Sequence, residues 1–106
     1  MTTAEFFKKN GCITGFRVVG HSGYSENGSD VVCASVSSAV MLTANLITDF
    51  LGFAADVSAK GDVFTLNAVS PDEKQLQSIF EGLVTHLEMI REEYGKKYLK
   101  IKLTEV

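Results

Sequence analysis

The sequence predicts an α+β fold in which five strands and two helices follow the order β-β-α-β-β-α-β. Two short turn signals, Asn10-Gly11 and Lys60-Gly61-Asp62, each separate two segments that have the composition of strands. Two longer segments repeat apolar residues at helical spacing. We therefore expect a mostly antiparallel sheet with two helices, arranged in two or three layers. A length of 106 residues without a linker-like segment predicts one domain, residues 1–106.

The first predicted hairpin joins residues 3–9 to residues 12–19 through Asn10-Gly11. Asn-Gly is a strong hairpin signal because both residues tolerate the positive φ that a type I′ turn requires. In the second of these strands Phe16 and Val18 fall on one face, and Gly20 ends the strand.

The first predicted helix covers residues 30 to about 51, with Ser29 or Asp30 as its N-cap. Alanine and serine are unusually frequent in this segment, so a second helix or a second subunit can approach its backbone closely. Its apolar residues at helical spacing are Val32, Val36, Val40, Ile47 and Phe50.

A second hairpin, of residues 53–59 and 63–68, precedes the second predicted helix. Three residues mark the start of this helix: Ser70 as N-cap, Pro71 at the first helical position and Glu73 three residues after the serine. Gly95 marks its end. Residues 96–104 alternate in polarity and form the predicted fifth strand. The apolar stripe of the second helix, which we expect in the core, contains Leu76, Ile79, Phe80, Leu83, Leu87, Ile90 and Tyr94.

The charge of the chain argues against direct contact with nucleic acid. Ten Lys and Arg against thirteen Asp and Glu give a formal net charge of −3, whereas tight sequence-independent binding requires the neutralisation of phosphates. The sequence has neither a continuous apolar run of about 18 residues nor the charge pattern of a signal peptide. We therefore expect a cytoplasmic protein without membrane contact, in which Cys12 and Cys33 are reduced.

The two residues best suited to catalysis by their side-chain chemistry are His21 and Cys33. They are twelve positions apart, and the segment between them is rich in glycine, serine and acidic residues. If Asp30 caps the helix, Cys33 is its third residue, where free amides and the helix dipole favour a thiolate. His21 then returns to the same helix end if the segment folds over. Residue types alone leave a structural alternative open, in which His21 is a solvated turn residue and Cys33 a small core residue.

Two segments resemble the signature of the ribosomal-processing cysteine protease family Prp. They are residues 20–24, GHSGY, and residues 28–37, GSDVVCASVS. The family pattern is Gly-His-Ala, a loop rich in glycine and acids, and Asp-Ile-Val-Cys-Ala-Ala-Val-Ser. The departures at Ser22, Val31 and Ser35 remove no reactive group, and the likeness covers nearly the whole chain.

The resemblance implies a cysteine endopeptidase that removes a short N-terminal extension from large-subunit ribosomal protein twenty-seven during ribosome assembly. Cys33 is then the nucleophile and His21 its base, with Asp30 and Ser37 in support and no cofactor or metal. Asp30 either orients His21 or only caps the helix. Ser37 either positions the site or bonds back to a helical carbonyl. Oxyanion donors are expected among the first-turn amides, including that of Cys33.

The resemblance also implies how substrate and partner are bound. The composition of the segment 22–29, for its part, predicts flexibility, so we expect a lid that orders on a bound peptide, with Ser22, Gly23, Tyr24 and Gly28 as candidate contacts. Family substrates present aromatic residues before the cut, so an apolar pocket is expected beside Cys33. The expected partners are a ribosomal protein precursor and a second copy of the chain, since family members form homodimers.

Three other interpretations compete with proteolysis. A metal site formed from His21, Cys33, Asp30, Cys12 or His86 lacks the close ligand spacing of structural zinc sites. His86 is expected at the surface or the edge of the core, and Cys12 as an inert strand residue. A non-catalytic ribosome-associated or protein-binding module and a thiol redox sensor stay open.

Overall fold

The computed structural model describes residues 1–20 and 27–106, and the side chains of all of these except residues 27–30. Its elements confirm the predicted order. They are β1 (Thr2–Lys9), β2 (Cys12–Val19), α1 (Asn27–Asn45), a π-helical continuation of α1 (Leu46–Phe50), β3 (Ala55–Lys60), β4 (Val63–Ala68), α2 (Lys74–Tyr94) and β5 (Leu99–Glu105).

The described residues form one five-stranded sheet with the strand order β3-β4-β2-β1-β5. Strand β5 pairs with β1 in parallel, whereas β1–β2, β2–β4 and β3–β4 are antiparallel. The predicted α+β class and mostly antiparallel sheet are therefore confirmed. Both hairpin turns are also confirmed, since Asn10, Gly11 and Gly61 have the positive φ values of 53°, 81° and 61° that such turns require.

Both helices pack against one face of the sheet, so the fold has two layers. Phe6 pairs with Phe16 and Phe16 with Leu66 across three neighbouring strands, and all three side chains are fully buried. The Phe16 ring meets the Phe80 ring of α2 edge-on, with centroids 6.2 Å apart. The same core contains Val36 of α1.

The opposite face of the sheet is polar and open. Glu5 lies between Arg17 on β2 and Lys102 on β5, directly across the two ladders. The Thr104 hydroxyl donates to Glu5 Oε2 over 2.6 Å, and Lys102 Nζ lies 3.9 Å from the same oxygen. These polar side chains bond one another and can also bond water, so this face of the sheet does not have to be covered by another layer of helices or strands.

The start of α2 differs from the prediction. The helix begins at Lys74, and its N-cap is Glu73, which makes no side-chain capping bond, so the assignment of Ser70 as N-cap and Pro71 as first helical residue is wrong. Instead, the Pro71 carbonyl accepts a 2.6 Å hydrogen bond from Gln77 Nε2. The same amide group bonds the backbone of Ile13 through its nitrogen and its oxygen, over 2.7 and 2.8 Å. The bonds from Gln77 thus join the β4–α2 connection and the first turn of α2 to β2. The predicted end at Gly95 is confirmed.

The end of α1 also differs in detail. The helix continues to Phe50 as predicted, but its last five residues, Leu46–Phe50, are π-helical. A π-helical turn contains more residues than an α-helical one, so it rotates later side chains off the α-helical stripe. Ile47 is fully buried, whereas Phe50 is 76% exposed, so the assignment of Phe50 to the apolar stripe is wrong.

Residues Val31–Phe50 form one helix that is long and apolar enough to cross a membrane, judged by length and composition only. A core helix of a soluble protein passes the same test. In this fold Val32, Val36 and Val40 of the helix are buried in the core.

Candidate active site

Cys33 lies beside a cavity of about 310 Å³ that separates α1 from one end of the sheet. The residue is half-buried and its thiol is free. Helix α1 contributes one wall of the cavity, and the ends of β2, β3 and β4 contribute the others. The cavity is lined by Thr2, Val18, Gly20, Cys33, Ser37, Val40, Met41, Ala59, Gly61, Asp62, Val63 and Phe64.

The thiol packs against the end of β2. A methyl group built on Gly20 would lie 3.2 Å from Cys33 Sγ, closer than nonbonded atoms normally approach. The Gly20 amide in turn donates to the Asp62 carbonyl over 3.0 Å, which fixes the end of β2 to the turn between β3 and β4. The helix α1, the end of β2 and the β3–β4 turn are thus joined through Gly20, which lies beside the sulfur atom.

Ser37 lies one helical turn after Cys33 and lines the same cavity with an exposed side chain. The alternative role for this serine was a bond back to a helical carbonyl. Thr43 and Thr48 make such bonds, to Ala39 and Ala44, whereas within the described residues Ser37 makes none. Its hydroxyl therefore faces the same space as the thiol.

The walls of the cavity are mostly apolar. Val40 and Met41 of α1 face Phe64 of β4 and Ala59 of β3 across it. A cavity of this size and polarity is at the lower end of the range for ligand sites, and it suits an apolar side chain of a peptide. An apolar pocket was expected beside Cys33, and the described residues form an apolar cavity at that place.

The position of Cys33 in its helix corrects one step of the sequence argument. Helix α1 begins at Asn27, so Asp30 and Ser29 are helical residues, not the N-cap, and Cys33 is the seventh residue of the helix, not the third. Free amides and the dipole act mainly within the first turn. The helix end therefore contributes less to a thiolate than predicted, and the Cys33 amide is a weak candidate for an oxyanion donor.

Several predicted site residues lie outside the described residues. These are His21, Ser22, Gly23 and Tyr24, and the candidate lid 22–29 falls mostly among them. The backbones of Gly28 and Asp30 belong to α1, but the Asp30 side chain is not among those described. The structure thus brings Cys33 and Ser37 together at one cavity and leaves the roles of the others as predictions.

The sequence analysis missed the contribution of the β3–β4 turn. Gly61 and Asp62 line the cavity because β2 and β4 are antiparallel neighbours, which brings Val63 opposite Val19. No local pattern in the sequence pairs β2 with β4. Only the sheet order could have identified this wall.

The other candidate ligands are dispersed. Among the part of the chain that the structure describes, no group of three His, Cys, Asp or Glu side chains is arranged to hold a metal ion. Cys12 is a half-buried residue at the start of β2, at the other end of that strand from Gly20. His86 is exposed on α2 at a groove between the helices, beside Leu42 and Ile79.

Comparison with known proteins identifies the family. The family model for the cysteine protease Prp matches residues 1–100. The ribosomal processing cysteine protease Prp of Bacillus subtilis (strain 168) is 31% identical over 88 residues, which cover 77% of this chain and 79% of the relative. The fold is similar to that of the essential ribosomal processing protease Prp from S. aureus in complex with a substrate peptide, with a TM-score of 0.85 and 25% identity over 100% of both chains. The S. aureus protease with a covalently linked product peptide has a TM-score of 0.80 and 26% identity, also over 100% of both chains.

The family model extends over all but the last six of the 106 residues, so it includes β1 to β4, both helices and the residues that line the cavity, and it ends within β5. The thiol beside that cavity is the reactive group that a cysteine protease requires. The chain belongs to the Prp family of cysteine proteases.

Proposed function

We propose that this chain removes a short N-terminal extension from large-subunit ribosomal protein twenty-seven during ribosome assembly, with Cys33 as nucleophile and His21 as general base. The observation that carries the proposal is the free thiol at an apolar cavity, in contact with Gly20. The names of the relatives, which are ribosomal processing proteases, support the substrate class.

The contact between Gly20 and Cys33 supports the pairing with His21. One peptide bond separates Gly20 from His21, so their Cα atoms are about 3.8 Å apart. A tether of this length is compatible with the proposed pairing of the imidazole with the sulfur. Since the first turn of α1 ends before Cys33, the imidazole is the principal group in the proposal that favours the thiolate.

In the proposed reaction, His21 takes the thiol proton and Cys33 Sγ attacks the scissile carbonyl carbon. His21 then protonates the leaving amine, and water releases the acyl group from the sulfur. Ser37 faces the cavity one turn away and is proposed to position the peptide or the thiol. Asp30 is proposed to orient His21, and no metal or cofactor enters these steps.

The apolar cavity is proposed to hold a side chain that precedes the cut. Met41 and Phe64 supply large apolar surfaces on opposite sides, and Ala59 leaves space between them. Burial of an aromatic side chain there stabilises the bound peptide through the hydrophobic effect.

The segment 22–29 is proposed to close over the peptide, and hydrogen exchange with and without a substrate peptide tests this closure.

The proposal is tested by incubation of the chain with the precursor of its own ribosomal protein twenty-seven, followed by mass spectrometry. We expect one cut that removes the N-terminal extension, and Cys33→Ala and Cys33→Ser should each lower the rate by more than about 10³-fold. Cys12→Ala is the matched control and should leave the rate unchanged. An intact precursor with the active chain would reject the substrate, and cleavage by Cys33→Ala would reject the nucleophile.

The same variants separate the proposal from its two competitors. A non-catalytic binding module would keep its partner and show no cleavage with any variant. A redox sensor would form a sulfenic acid at Cys33 under peroxide and would leave peptides intact. Both cysteines are free thiols, which is the state that the reducing cytoplasm favours. We place the proposed reaction in the cytoplasm because ribosomes are assembled there.

We further propose that the chain acts as a homodimer that pairs through α1. This helix, with its π-helical continuation, exposes three large apolar side chains to solvent, those of Met41 (59% exposed), Leu42 (66%) and Phe50 (76%). Leu42→Glu should yield monomers in analytical ultracentrifugation, because a carboxylate is costly at such an interface. Leu103→Glu on β5, where the leucine is 59% exposed, is the control and should remain dimeric. Monomers of the unaltered chain at all concentrations would contradict the proposal.

A further inference from the structure

The feature of interest at Gly20 is the small space that Cys33 leaves for a side chain there, since the φ of Gly20 is not positive. The described glycines with positive φ are Gly11, Gly52, Gly61 and Gly95, and Gly20 is not one of them. An alanine at position 20 therefore avoids the penalty that a positive φ imposes on residues with a Cβ. Among the described residues, the one atom that a Cβ at this position would meet within 4 Å is Cys33 Sγ, at 3.2 Å.

The backbone of Gly20 is held from the other side. Its amide donates to the Asp62 carbonyl over 3.0 Å, and Asp62 belongs to the turn that joins the paired strands β3 and β4. The neighbouring residues are fixed as well, since Val19 pairs with both Thr3 of β1 and Val63 of β4. The end of β2 consequently has little freedom to move away from the sulfur.

We propose that Gly20 is a positioning residue for the catalytic thiol: its bare backbone, held by the β3–β4 turn, sets the position of Cys33 Sγ beside the end of β2. The proposal rests on the proposed function for its catalytic part. Its structural part, the contact between Gly20 and the sulfur, can be tested without any substrate.

A methyl group at position 20 must displace something by a few tenths of an ångström. The end of β2 is held by its two neighbouring strands, β1 and β4, and by the β3–β4 turn, so the displaced group is the Cys33 side chain. Small misplacements of reacting atoms have large kinetic effects, up to about 10²-fold for 1 Å. We therefore expect Gly20→Ala to lower kcat by about tenfold and to change KM by less than about twofold, because the cavity walls beyond Gly20 are unaltered.

A double-mutant cycle tests the contact by thermal unfolding. With Cys33 present, Gly20→Ala should lower Tm by about 4 °C or more. With Cys33→Ala, which removes the sulfur, the same substitution should leave Tm unchanged or raise it, because alanine restricts the unfolded chain more than glycine does. Gly82→Ala on α2, where a Cβ would meet nothing within 4 Å, is the matched control and should raise Tm in both backgrounds.

The two parts of the proposal can fail separately. Equal Tm changes for Gly20→Ala with and without the sulfur would overturn the contact, whatever the peptidase assay shows. If the loss of Tm depends on the sulfur as expected but Gly20→Ala keeps the kcat of the unaltered chain, the positioning role is overturned while the proposed peptidase function stands. If the unaltered chain cleaves no peptide, the proposed function fails, and the cycle still decides whether Gly20 sets the position of the thiol.

Discussion

At the scale of single residues, the core is organised around Phe16. Its ring lies 5.8 Å from that of Phe6, 6.2 Å from that of Phe64 and 6.2 Å from that of Phe80, measured between centroids. It therefore joins three strands to α2. The alternation of the strand identified its inward face, but the four-ring cluster depends on a sheet order that the alternation does not contain.

Phe16→Ala should lower the free energy of unfolding by about 3–5 kcal/mol, because it leaves a cavity among these rings. Urea unfolding measures the change. Met89→Ala is the control, since Met89 is 63% exposed on α2, outside the proposed dimer surface, and it should stay within about 0.5 kcal/mol of the unaltered chain. Equal losses for both variants would contradict the assignment of the core.

A second residue with a long-range role is Gln77. Its side-chain amide bonds Ile13 through both backbone groups and bonds the Pro71 carbonyl. Gln77→Ala should therefore cost about 1–2 kcal/mol in urea unfolding, because backbone groups lose their partners in a half-buried site. Gln75→Ala, on the exposed side of the same helix, should change stability by less than about 0.5 kcal/mol. A smaller loss for Gln77 than for Gln75 would show that water replaces the bonds.

At the scale of elements, local signals in the sequence predicted turns better than helix starts. Asn10-Gly11 and Gly61 require positive φ, and residue type alone indicates that requirement. The helix α2 begins at Lys74, not after the capping signal at Ser70, and the segment before it is bonded by Gln77, whose side chain binds both the nearby Pro71 carbonyl and the distant Ile13 backbone. The start of α1 at Asn27 also departs from the capping signal at Asp30, and we have no physical account of that difference.

The β3–β4 turn gives a test of the active site at this scale. Gly61 and Gly11 both have positive φ in hairpin turns, and a Cβ on either would meet nothing within 4 Å. Alanine should strain both turns to a similar extent, by about 1 kcal/mol. Gly61→Ala should lower kcat/KM several-fold, because that turn holds the Gly20 amide, whereas Gly11→Ala should not. A peptide cleavage assay compares them, and equal activities would remove the turn from the site.

At the scale of the whole molecule, the site is a consequence of sheet order. The antiparallel pairing of β2 with β4 brings the end of β2, the β3–β4 turn and α1 to one cavity. The sequence predicted Cys33, His21 and Ser37 as site residues through two short motif segments, and the structure places Cys33 and Ser37 at the cavity. It could not identify the cavity walls, because Met41, Ala59 and Phe64 come together only in the folded chain.

The central claim is that the thiol of Cys33 is activated by His21. Alkylation by iodoacetamide at pH 7, followed by mass spectrometry of the peptides that contain each cysteine, tests it most directly. Cys12 is the internal reference, because both cysteines are free and half-buried. We predict that Cys33 reacts about tenfold or more faster than Cys12 and that His21→Ala removes this excess. Equal rates for the two cysteines, or an excess that persists in His21→Ala, would contradict the account.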